Sequence, residues 1–132
     1  MSDLTLRPQI KALQATLESM PQSRDFEASV EHFFGDGTYS RLMRLKADDL
    51  IVGKTHRLDH VVVVLAGEIE LACVSGTRTR VMGGQVFESK AGAKRAMYAV
   101  TDCAVLTIHP NPTNTRDMAE LESALIAPED AP

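Results

Sequence analysis

The stretch His56-Arg57-Leu58-Asp59-His60-Val61-Val62-Val63-Val64-Leu65-Ala66-Gly67-Glu68-Ile69-Glu70-Leu71 carries the signals that decide the fold. Val61 to Leu65 are apolar without interruption and mostly β-branched, which predicts a strand over 58–66 with both faces covered. Ala66-Gly67 marks a turn, and Glu68, Ile69, Glu70 and Leu71 then alternate polar with apolar. That alternation is the pattern of a strand with one solvated face. A covered strand turning tightly into a half-covered one belongs in a closed or double-layered sheet.

The same rhythm continues on both sides. Strands are predicted over 68–74, 77–82, 85–88, 95–100 and 103–109, with turn signals at Ser75-Gly76, Gly83-Gly84, Ala91-Gly92 and Thr101-Asp102. Upstream, Tyr39, Arg41, Met43 and Leu45 alternate against Ser40, Leu42, Arg44 and Lys46, and a short strand follows over 50–53. Residues 22–34 read as ambiguous, with a short helical turn ending in Phe33-Phe34 before Gly35-Asp36-Gly37 breaks it.

The two ends change period. Ile10, Leu13, Leu17 and Met20 recur at threes and fours between Pro8 and Pro21, predicting a helix over Arg7–Met20. Beyond Pro110 and Pro112, Met118, Leu121 and Leu125 line one side of a second helix that Thr113 or Thr115 can cap. The expected organisation is mainly β: an N-terminal helical segment over 1–21, a β-barrel over 22–110, and a C-terminal helix and tail over 111–132.

Composition narrows the function. With 132 residues, 44% hydrophobic and 24% charged, the chain fits one ordinary globular domain. A net charge of -4 and scattered basic residues argue against nucleic acid or an anionic membrane as partner. Met1 to Leu6 shows neither the basic nor the apolar part of an export signal, so a cytoplasmic location is expected. Cys73 and Cys103 lie in apolar, strand-like runs and read as reduced thiols, and no CxxC motif points to zinc or redox chemistry. Gly83-Gly84 lacks the helix and lysine of a phosphate loop, and Ser40, Ser75 and Ser89 lack the context of a nucleophile elbow.

The chain has four histidines, His32, His56, His60 and His109. Counting by twos from His60 reaches Val62 and Val64, so its imidazole shares their face. A neutral imidazole there can ligate a divalent metal through one nitrogen while the other is held by a neighbour.

These residues resemble a known frame. The first cupin motif is Gly-x5-His-x-His, then three or four residues, Glu, six residues and Gly. Anchored on Gly67, it puts His60 in the glutamate place, His56 in the second histidine place and Lys54 in the first. The second motif, Gly-x5-Pro-x-Gly-x2-His-x3-Asn, can be laid on Gly84 and Gly92, with Lys90, Arg95 and Ala99 in its proline, histidine and asparagine places. The resemblance spans about residues 38–109 and implies a single cupin/jelly-roll β-barrel.

The chain also resembles small cupin-like proteins encoded by tailed phages and prophages. It shares with them His32-Phe33-Phe34, Asp36-Gly37, Tyr39, Gly53-Lys54-x-His56, His60, Gly67-Glu68, Gly92-x-Lys94-Arg95, Tyr98-Ala99 and Thr107-Ile108-His109-Pro110. That group carries a further histidine where Leu58 stands here. This resemblance implies a virion or assembly component, with phage structural proteins as partners.

Three readings stay open. In the first, His56 and His60, completed by His109 or less readily by His32, bind iron, manganese, nickel or zinc, the absence of any cofactor being equally compatible. In the second, Lys54, Arg95 and Tyr98 bind a small anionic ligand, because a guanidinium cannot ligate a metal but pairs well with carboxylate or phosphate. In the third, the barrel is a non-catalytic scaffold that forms a dimer or trimer. None of the three assigns a reaction.

Overall fold

A computed structural model describes residues 29–73 and 78–128. The expected helix at Arg7–Met20, the Ser75-Gly76 turn and the last four residues lie outside them. Two antiparallel sheets face each other. The first holds β1 (Val30–Gly35), β2 (Thr38–Leu45), β9 (Cys103–Pro110), β4 (His60–Ala66) and β7 (Val86–Ser89), in that spatial order. The second holds β3 (Leu50–Val52), β8 (Arg95–Ala99), β5 (Glu68–Cys73) and β6 (Arg78–Met82). One helix, α1 (Met118–Leu125), follows the last strand.

The core lies between the sheets because each strand alternates. Val62 and Val64 of β4 meet Ile69 and Leu71 of β5, together with Leu45, Val81, Ala99, Cys103 and Val105. The outer face of β4 is less covered than its unbroken apolar run predicts: Val61 and Val63 are half-buried and Leu65 is 51% exposed. Glu68 and Glu70 sit on the solvated face of β5 and pair with Arg80, as their alternation predicts. Cys73 and Cys103 are both free thiols, the second buried and the first half-buried.

Gly67 makes the corner where the chain passes from one sheet to the other. Its φ is +85°, and a Cβ there would lie 2.2 Å from the Asp102 carbonyl oxygen and 2.5 Å from Cys103 Cβ. The turn and the close packing against the β8–β9 connection both require glycine.

Two expectations need correction. Residues 30–35 form a strand, not a helical turn, pairing with β2 from Val30↔Met43 to Gly35↔Thr38. As an edge strand β1 has no fully buried face, so its sequence carries no period of two. The cap of α1 is Asp117, whose carboxylate accepts from the Ala119 and Glu120 amides; Thr115 acts one step earlier, accepting from the Asp117 amide.

Leu121 and Leu125 pack with Tyr39, which brings α1 across one end of the barrel. Among the described residues no helix is long and apolar enough to cross a membrane.

Candidate metal centre

The lumen is a cavity of about 720 Å³ whose wall includes His56, His60 and His109. His60 opens β4 and His109 is the last residue but one of β9; these strands run side by side with Val61 opposite Ile108, so the two imidazoles emerge next to each other. His56 comes from the segment between β3 and β4, and α1 fixes its position. It bridges to Ile126, while Arg57 donates from its amide to Leu125 O (2.8 Å) and from Nε to Ile126 O (2.9 Å). The Thr55 carbonyl in turn accepts from the Ala127 amide at 2.8 Å.

The three rings converge. Centroid separations are 4.5 Å for His56–His60, 4.5 Å for His60–His109 and 5.2 Å for His56–His109. One ring nitrogen from each lies within 4.8 Å of the others. His56 Nδ1 is 3.1 Å from the Lys54 carbonyl, which only accepts, so Nδ1 carries the proton and Nε2 keeps a lone pair. His109 Nε2 is held by Thr107 Oγ1 at 2.8 Å. Among the described residues His60 Nδ1 is buried without a hydrogen bond of good geometry, although the Leu58 backbone acts on this imidazole. A polar atom in that state is costly unless something binds it.

Burial keeps His60 and His109 uncharged. Desolvation is the main cause that lowers the His109 pKa to about 3, helped by the other two histidines and Arg41. His60 is lowered to about 4, first by desolvation and then by His56 and Arg95. Both imidazoles therefore present lone pairs at neutral pH.

His32, the weaker candidate for third ligand, is exposed on the edge strand β1, with Nδ1 bonded to the Tyr39 hydroxyl at 2.7 Å. His109 makes the third corner of the cluster instead. Tyr39 is buried between them, stacked on both His32 and His109.

The expected anion-binding residues separate. Arg95 lines the cavity, its Nη1 donating to Ser89 Oγ at 2.6 Å and its guanidinium 5.4 Å from the Phe87 ring centre. Lys54 also lines it, but its ammonium is paired with Glu122 of α1. Tyr98 does not line it: it lies three residues beyond Arg95 on one strand, so it points to the opposite face and donates to Asp48. Sequence reading missed Tyr39, Ser89 and Thr107. Thr107 was accessible, since it precedes His109 by two and shares its face.

No family model matches the sequence, and no curated protein matches it. Solved structures do. A cupin-2 domain containing protein from Shewanella frigidimarina superposes with a TM-score of 0.54 at 12% identity, over 80% of this chain and 99% of that one. The cupin domain of Schizosaccharomyces pombe Cnp3 gives 0.55 at 15%, over 81% and 76%. The fold is the cupin jelly roll. Salicylate 1,2-dioxygenase from Pseudoaminobacter salicylatoxidans, in adducts with gentisate, gives 0.60 at 16%, over 89% of this chain but 33% of that enzyme. These likenesses show the fold alone. The chemistry rests on this chain's own residues.

Proposed function

We propose that this cupin barrel binds one divalent transition metal in its lumen through His56, His60 and His109. The observation that carries the reading is the convergence of three imidazoles from three separate segments. Three imidazole nitrogen donors suit iron, manganese, nickel or zinc. A metal so held supplies Lewis acidity or an activated water. The protein supplies the rest: the Lys54 carbonyl and Thr107 orient two of the ligands, α1 closes one end, and the apolar wall limits water.

The test is metal content by mass spectrometry after purification without chelator from cells supplied with iron, manganese, nickel and zinc. One metal per chain in the wild type, lost in His60→Ala, is expected. Absence of stoichiometric metal in the wild type overturns the reading.

A second reading, an oligomerising scaffold, is favoured by three exposed apolar residues at one end of the barrel. Leu65 is 51% exposed, Met82 54% and Val86 61%, on the adjoining ends of β4, β6 and β7. Light scattering of the wild type beside Val86→Lys tests it; a monomer in both excludes it.

A further inference from the structure

Arg95 is the feature that metal binding leaves unexplained. It is half-buried in the cavity wall, yet among the described residues no carboxylate lies within ion-pair distance of it. Its contacts are a neutral hydroxyl and an aromatic face. The Ser89 hydroxyl, itself 1% exposed, accepts from Nη1, and Phe87 lies beneath the guanidinium. These contacts fix the fork without neutralising it. A desolvated cation in that state is costly unless an anion completes it.

Its placement is equally specific. Ser89 is the cross-strand partner of His60, so the fork is tied to the residue opposite a candidate ligand. Arg95 is also one of the charges that hold His60 in its neutral form. The cation at the other margin, Lys54, is already paired with Glu122. Of the cations that line the cavity, Arg41, Lys54 and Arg95, Lys54 is matched by Glu122, and among the described residues Arg95 has no carboxylate. Around it the wall is apolar, with Met43, Ile51, Val62, Leu71, Phe87 and Met97.

We propose that the ligand of this cavity is an apolar monocarboxylate, its carboxylate paired with the Arg95 guanidinium and its hydrocarbon body packed against the methionine-rich wall. Guanidinium and carboxylate match as a planar fork, which fixes the orientation of the bound acid. An inorganic phosphate lacks the hydrocarbon body that this apolar wall would cover. The flexible methionines accommodate more than one hydrocarbon shape. Anchoring at Arg95 stands on these contacts alone. The further consequence, that the acid's body lies against the metal position, rests on the metal reading above.

The experiment uses the full chain in metal-free and zinc-loaded forms. Benzoate, phenylacetate and hexanoate are titrated while the methionine methyl resonances are followed, with benzamide and inorganic phosphate as comparisons. At least one carboxylate is expected to shift the Met43 and Met97 methyls saturably, with benzamide and phosphate at least tenfold weaker. Arg95→Gln should weaken the carboxylate at least tenfold while zinc stays at one per chain, and Arg95→Lys should restore part of the affinity. An amide-proton spectrum of each variant confirms folding, and if Arg95→Gln does not fold, the Arg95→Lys and benzamide comparisons carry the test. No saturable shift by any carboxylate, equal binding of benzamide, or unchanged affinity in both Arg95 variants overturns the proposal. Carboxylate binding without zinc binding overturns only the metal reading; zinc binding without an Arg95-dependent carboxylate overturns only this one.

Discussion

Acidification of the metal-free protein tests the state of the buried imidazoles. In the unfolded chain a histidine takes up its proton near pH 6.5, but folding lowers this to about 4 for His60 and about 3 for His109, chiefly by desolvation. The unfolded state therefore binds more protons than the folded state between these values, and stability must fall as pH falls below 6.5. From pH 7 to pH 5 each histidine contributes a loss of up to about 2 kcal/mol, so the pair contributes about 4 kcal/mol at most. With a urea dependence of about 1–3 kcal/mol per molar, that upper value corresponds to a drop of roughly 1–4 M in the unfolding midpoint. The assay is urea unfolding followed by circular dichroism at pH 7, 6 and 5 with chelator present. His109→Gln should roughly halve the dependence. A midpoint that does not move between pH 7 and pH 5 would refute the burial of two neutral imidazoles.

Other outcomes follow from the same structure. Gly67→Ala combines a left-handed φ with a clash against the Asp102 carbonyl, so it should cost more than about 2 kcal/mol, read as a fall in thermal midpoint. Leu121→Ala removes a side chain 2% exposed beneath Tyr39 and should cost about 2–5 kcal/mol in a urea titration. Because α1 also holds His56 in place, this variant should weaken zinc binding measured by competition with a chromophoric chelator. Tyr98→Phe loses only the outward bond to Asp48; its stability should change by less than about 1 kcal/mol, and its zinc affinity should stay within twofold of the wild type.

Most of the barrel was legible in the sequence because its signals are local. The run after His60, the Gly67 corner and the alternation from Thr38 to Leu45 each fix a strand and its face within a few residues. β1 was not legible: it pairs on one side only and exposes most of its residues, so no periodicity marks it. All three histidines of the candidate site were named from the sequence, but only two of them from local signals. His56 and His60 lie four residues apart, and parity sets the face of His60. The choice of His109 over His32 as the third was left open there, because it depends on β9 lying between β2 and β4, a long-range pairing that the sequence does not encode locally. The placement of Tyr98 with Arg95 failed against a local rule, since an odd separation on one strand separates two faces. The lid role of α1 was hidden as well: its apolar stripe shows that it packs, but not that its C-terminal end is pinned beside His56.

Whether three imidazoles hold one metal inside the barrel is read by X-ray absorption spectroscopy of the zinc-loaded wild type. Three imidazole scatterers at about 2.0–2.1 Å are expected, reduced to two in His109→Ala. Zinc surrounded by oxygen alone, an imidazole count that His109→Ala leaves unchanged, or a wild-type protein that retains no zinc would contradict the three-histidine site.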